Sequence, residues 1–463
     1  MAKRLISMDI LRGWAILLMV IFHVFLNVSD LVPVAVSDPF SLGLGKLILV
    51  VFISIFIHWQ SLFLMISATV HWFTMSRMHE NGQKLVKIFL KQLIFGIALY
   101  VFGFLREPLL SPWGITADWF RTGGFFADGT WSWDKWTFIY RAETLSNIGF
   151  SIVITAIIFT LFTLLKREKL QILIKVGILA IFAAVFIFVA PIVQNWVSNY
   201  AGVNLQETEA YVISGLDTNN GYYNRWLLNS LAGREFPIFP NYGYFLIGCI
   251  FGLLLSQPNP SKKMLLYTSL VGVVLTLGGF AYWALLDMKL YDFGTGTFNL
   301  GNIDLGFHVH PTGFVLFSIG LQMMIISIAL RMYEFNHKLL RENRQSLMLR
   351  LSRWIRRWGV FALTIFVFNI FEIIPRGIFT IIYPAVDYRN IYQTSLGWTL
   401  IMVGLVVLMW EGIIRLICLL KGYTSVEFVF LVLFKFGKKP MKKDPLNLQG
   451  NLREVEPILF VSR

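Results

Sequence analysis

Asp9, Arg12, His23 and Asn27 stand within one apolar run, MDILRGWAILLMVIFHVFLN, close to the start of the chain. Arg12 and His23 are separated by almost three helical turns, so on a helix they lie within about 20° of one another around the axis. Asp9 and Asn27 fall within about 60° of the same line. Along the axis, Arg12 and His23 are roughly 16 Å apart at 1.5 Å per residue. A guanidinium at one end of such a stripe can hold an anionic group, and an imidazole at the other can move a proton. Polar groups in lipid are costly and usually face a bundle interior or a wet cavity. A plain anchor would avoid them. Each residue also has a simpler use: His23 could hydrogen-bond a neighbouring helix, Arg12 could snorkel to the span end, and Asp9 could fix Arg12 or an inner helix end.

The elements that must position these residues follow from composition. The chain has 463 residues, is 56% hydrophobic and only 14% charged, and its mean hydropathy is +0.67. A soluble chain would carry about 25% charge. Apolar runs of roughly 20 residues, each able to cross a bilayer core, recur throughout. The pattern predicts an all-α, polytopic integral membrane helix bundle with about ten transmembrane helices. They are expected near 10–28, 47–73, 88–105, 145–165, 172–193, 238–256, 264–286, 311–331, 359–383 and 394–416. Residues 1–420 form the transmembrane domain on this reading, and 421–463 a cytosolic basic tail. The first run lacks a small-residue cleavage site and is followed by many further spans, so it does not read as a removed signal peptide.

With the N-terminus inside, the inner segments hold 30 of the 40 lysines and arginines. That asymmetry predicts both termini in the cytosol and a protein of the plasma (cytoplasmic) membrane. The net charge of +14 therefore points to no nucleic-acid partner. Basic stretches such as RQSLMLRLSRWIRRW (344–358) and KFGKKPMKK (435–443) read most simply as faces touching anionic membrane lipid. Cys249 and Cys418, the two cysteines, both lie in apolar runs and predict no disulfide framework.

Three long outer loops are expected, near 106–144, 194–237 and 287–310. The first carries five tryptophans among Asp, Gly and Thr. Such rings suit stacking on sugar faces, and they equally suit an interfacial aromatic belt. At the outer mouth of the fourth span, Arg141, Glu143 and Asn147 could line an acceptor site, as could Arg234 and Glu235 before the sixth. His308 and His310 sit where the third loop meets the eighth span. A His-x-His pair can ligate metal, but no acidic or cysteine partner stands at ligand spacing, so no metal is expected and either histidine could orient an acceptor. His58 and His71 read as structural contacts of the second span. Glu372 and Arg376, at i and i+4, read as a buried ion pair. No Walker loop, dinucleotide turn, HExxH or GxSxG is present.

The segment LRGWAILLMVIFH has the Arg-x10-His spacing of the acyltransferase-3 membrane family. More closely, RLISMDILRGWAILLMVIFH resembles the N-terminal signature of the heparan-α-glucosaminide N-acetyltransferase-like family. FPIFPNYGYFLIGCIFG (236–252) and YRAETLSNIG (140–149) are similar to two further segments of that family. The resemblance implies an acyl-CoA-dependent O- or N-acyltransferase, with acetyl-CoA as co-substrate and a sugar or glycan acceptor outside the cytosol. It implies that Arg12, Arg77 and Lys84 hold the cofactor's phosphates. His23 would be the general base or the acyl carrier, with Arg12 and Asp9 beside it. A transporter or exporter of a sugar- or lipid-linked solute is the alternative that the polar stripe leaves open.

Overall fold

The computed structural model describes residues 3–29, 60–111, 114–122, 143–164, 172–201, 221–233, 236–288, 311–336, 342–382 and 396–433, with a few short pieces between them. The described residues are almost wholly helical. The exceptions are two-residue strand pairs: Lys3–Arg4 runs parallel to Glu456–Pro457, and Tyr291–Asp292 antiparallel to Thr297–Phe298. The chain divides into two compact units. One holds Met1–Trp59, Pro108–Trp136 and Met332–Val461; the other holds Gln60–Glu107, Thr137–Arg331 and the last two residues.

In the first unit, α1 (Ile6–Val28) carries the polar stripe. It has no proline in its interior and an apolar run of six residues from Ala15 to Val20, and lipid or protein on every side favours a fully hydrogen-bonded backbone. The described part of the unit adds α4 (Ile115–Arg121), α12 (Glu342–Leu351), α13 (Arg353–Val360), α14 (Ala362–Val367), α15 (Ile373–Ile382), α16 (Leu396–Leu419) and α17 (Val426–Leu433). α1 packs against α13 and α16. Two glycines permit the first contact. A Cβ on Gly13 would overlap the carbonyl of Ile355, and one on Gly359 would overlap the carbonyl of Asp9. α13 is held to α16 by one carboxylate: Glu411 accepts from Trp354 Nε1 at 3.1 Å, Trp358 Nε1 at 3.1 Å and Arg357 Nη2 at 2.9 Å.

The second unit comprises α2 (Gln60–Glu80), α3 (Leu85–Leu110, its last three residues in the first unit), α5 (Thr144–Leu164), α6 (Ile172–Phe188), α7 (Ala190–Ala201), α8 (Gly221–Ala232), α9 (Ile238–Leu255), α10 (Lys262–Tyr282) and α11 (Thr312–Tyr333, its last two residues in the first unit). Its centre is α9, which packs against α2, α5 and α6. Thr69 Oγ1 donates across to the Gly248 carbonyl at 3.0 Å.

Eight helical stretches among the described residues are long and apolar enough to cross a membrane. They correspond to eight of the ten expected spans, and the all-α polytopic bundle stands. The ninth expected span, 359–383, is corrected. It is not one helix but α13, α14, a 3-10 turn at Asn369–Glu372 and α15. Phe361 (φ −102, ψ 23) and Phe368 (φ −98, ψ 26) leave the helical region and divide it. A tertiary contact replaces the lost ladder. Glu427 accepts from the Thr364 amide at 3.0 Å, in the first turn of α14, and from the Thr364 hydroxyl. A carboxylate there satisfies orphan N–H groups and meets the positive end of the helix. Burial pushes the Glu427 carboxyl up from its usual range. The second expected span also differs: α2 starts at Gln60 and runs past the expected end to Glu80, and residues 50–59 lie outside the described residues. The first outer loop begins later than expected, because α3 stays helical to Leu110 and α4 follows at Ile115.

Candidate functional site

The polar stripe of α1 is buried at its two ends and half-buried between them. Asp9 and Asn27 are buried, and Arg12 and His23 are half-buried. Trp14, on another face, is exposed. His23 Nδ1 lies 2.8 Å from the carbonyl oxygen of Met19, one turn earlier. A carbonyl only accepts, so Nδ1 carries the proton in the neutral ring and the lone pair is on Nε2. That is the tautomer a base acting through Nε2 requires.

One turn beyond His23, Asn27 Nδ2 donates to Glu372 Oε1. Glu372 ends the 3-10 turn that divides the ninth apolar segment, and Asn369, Glu372 and Arg376 are all about 2% exposed. Non-helical backbone at membrane depth persists only where protein or a wet cavity surrounds it. The first unit therefore joins the His23 helix to a broken, polar segment. The sequence presents Glu372 and Arg376 only as partners of each other. The i, i+4 spacing drew attention to the local pair, and nothing local pointed to Asn27.

At the opposite end of α1, Glu334 Oε1 accepts from the Ser7 amide at 2.9 Å. This caps the first turn, where N–H groups are otherwise orphaned. Glu334 follows the last residue of α11 and is about 1% exposed. Desolvation pushes its carboxyl up to about 8, against the lowering effect of the Ser7 hydrogen bonds and with a further rise from Asp9. Sequence reasoning missed this residue; an acid just past the end of an apolar run was its only signal.

The other expected site residues lie in the second unit or outside the described residues. Arg77, on α2, is exposed, pairs with Glu80 at 2.9 Å and lies 5.1 Å over the Phe73 ring. Lys84 is exposed in the turn before α3. Glu143 belongs to a buried cluster that sequence reading did not anticipate. Arg106 Nη1 donates to Glu107 Oε2 at 2.8 Å and to Glu143 Oε1 at 3.1 Å, with all three residues buried. Glu143 Oε2 also accepts from the Thr144 amide at 3.1 Å. Arg106 and Glu107 fall inside the first expected outer loop, near 106–144, but lie on α3. Asn147 Nδ2 donates to the carbonyls of Phe236 and Pro237 at 3.3 Å, tying α5 to the start of α9. His71 Nδ1 meets Gln92 Oε1 at 3.2 Å, a contact between α2 and α3. Arg141, His308, His310, His58, Arg234 and Glu235 lie outside the described residues. Among the described residues, no three His, Cys, Asp or Glu side chains gather as metal ligands.

The family described as heparan-alpha-glucosaminide N-acetyltransferase, catalytic, has a model that matches residues 4–115. The matched segment contains α1, α2 and α3, and with them Asp9, Arg12, His23, Arg77, Lys84, Arg106 and Glu107. It ends before Glu143, Asn147 and the broken segment that carries Glu372. Over this stretch the chain is similar to a family of membrane acetyltransferases. Among curated proteins none matches the chain.

Proposed function

We propose that this integral membrane protein is an acyltransferase. On this reading it moves an acetyl group from cytosolic acetyl-CoA to a hydroxyl or amine of an extracytoplasmic sugar or glycan. The observation that carries the proposal is the His23 ring. It sits on one face of α1 with Asp9, Arg12 and Asn27, inside the matched segment, with Nδ1–H turned to the Met19 carbonyl. Arg12, near the inner end of the helix, would meet the phosphates of the donor; Arg77 and Lys84, in the second unit, are separate candidates for that role. His23 Nε2 would accept the proton of the acceptor group as its oxygen or nitrogen attacks the thioester carbon. The carbon–sulfur bond then breaks, and the proton passes from Nε2 to the departing thiolate. Atoms and charge balance without a further reactant. Asn27 and Glu372 would orient the acceptor; Glu143, Asn147, Arg141, His308 and His310, all in the second unit, are separate candidates for acceptor recognition.

Membranes containing the protein, supplied with radiolabelled acetyl-CoA and an amino-sugar acceptor, test the proposal. Labelled acceptor must appear, at a rate that saturates with acetyl-CoA. A broken helix beside a polar stripe is also a device of transporters. Solute flux without any label transfer would favour that alternative.

A further inference from the structure

A cavity of about 420 Å³ opens in the first unit between the start of α1, the end of α11 and the helices α12 and α13. Its volume falls in the range of small-molecule sites, about 300–1,000 Å³. Ile10, Leu347, Met348, Leu351 and Ile355 give it an apolar lining. Leu347 and Leu351 are 53% and 73% exposed, so the apolar wall continues outward onto the surface. Trp14, Trp354 and Tyr333 also line it. The two tryptophan rings meet edge to face at 6.3 Å while both remain exposed. Amphipathic aromatics of this kind belong at headgroup depth.

Charges of both signs flank the cavity: the buried Asp9 and Glu334 adjoin the lining residues Ile10 and Tyr333, and the cations lie on α12, α13 and α16. Arg357 and Arg415 share the Glu411 carboxylate, and Arg356 is buried, donating to Ser352 Oγ and the Leu349 carbonyl. Arg350 and Arg353, each adjacent in sequence to lining residues, form no ion pair among the described residues, and the buried Nε of Arg353 finds no hydrogen-bond acceptor there. A buried guanidinium N–H costs free energy until an acceptor meets it. The geometry points to a binding site for one anionic phospholipid of the inner leaflet, its acyl chain in the cavity and its phosphate on Arg350 and Arg353. The inference rests on the cytosolic placement of the N-terminus and on no step of acyl transfer.

Native mass spectrometry of the full-length protein in mild detergent tests it, with phosphatidylglycerol and phosphatidylcholine of identical chains as probes. The wild type should retain phosphatidylglycerol on the order of tenfold better, as two arginines near an anionic headgroup give. Arg350→Gln/Arg353→Gln should reduce that preference to within about twofold. Met348→Trp, which fills the cavity, should lower retention of both lipids. The double variant should keep the wild-type KM for acetyl-CoA. Equal retention of both lipids by the wild type, or an unchanged preference in the double variant, overturns the assignment. So does one-for-one displacement of phosphatidylglycerol by acetyl-CoA, which would give the cavity to the donor. Lipid retention is read without turnover, so an enzyme that transferred no acetyl group would still answer the question.

Discussion

Asn27 donates its side-chain amide to the Glu372 carboxylate, joining α1 to a 3-10 turn 345 residues later in the chain. Both side chains are about 98% buried. A hydrogen bond to a charged group contributes about 1.5–3 kcal/mol when it is made, and its loss leaves a buried acceptor unsatisfied. In a double-mutant cycle of Asn27→Ala and Glu372→Ala, thermal unfolding should show a coupling of about 1–2 kcal/mol. Strict additivity would mean that the two groups do not sense each other.

The reach of that bond explains what the sequence displayed and what it hid. α1 was legible because its apolar run is unbroken and its polar residues recur near multiples of the helical period. The division of the ninth apolar segment was not. Residues 359–371 read as continuous apolar helix, and the break is tied to Glu427, a residue beyond the next span. Glu334 and Arg106 escaped notice for a similar reason: each looks like a boundary charge until its partners, Ser7 and Glu143, are brought to it by the fold.

The close approach of α1 and α13 gives a steric prediction. Gly13→Val places two methyl groups where the Ile355 carbonyl lies. Overpacking of this kind costs about 1–3 kcal/mol and shifts the helices. The variant should lose most acetyl transfer and melt earlier, while Gly177→Val, at a position with open space around it, should leave the melting temperature nearly unchanged. Equal behaviour of the two would mean that α1 and α13 do not touch as described.

Glu334 makes stability depend on pH in a defined direction. Its folded carboxyl titrates near 8, above the ordinary 4.5, because burial disfavours the charge. The folded state thus binds its proton more tightly than the unfolded state does. The stabilisation is complete below about pH 4.5 and is lost progressively as pH rises to about 8. Glu334→Gln should remove this slope, and melting curves between pH 5 and about 9 would show it. A variant whose slope matched the wild type would assign the titration to another group.

Arg106 holds two buried carboxylates. Removing one partner of a buried ion pair typically costs about 3–5 kcal/mol, because the other charge is left uncompensated. Arg106→Gln should therefore destabilise strongly, and adding Glu107→Gln should restore part of the loss. Unfolding midpoints of the single and double variants decide this. A double variant less stable than Arg106→Gln alone would contradict it.

The central claim is that His23 moves the proton in acetyl transfer, and His23→Gln tests it most directly. Glutamine keeps approximate size and some hydrogen bonding, but it has no lone pair that takes a proton near neutral pH. The measurement is transfer of radiolabel from acetyl-CoA to acceptor by protein whose melting temperature and acetyl-CoA affinity match the wild type. The account predicts a loss of about 10²-fold or more in the transfer rate with both controls preserved. Undiminished transfer by folded His23→Gln protein would contradict it and move the chemistry away from α1.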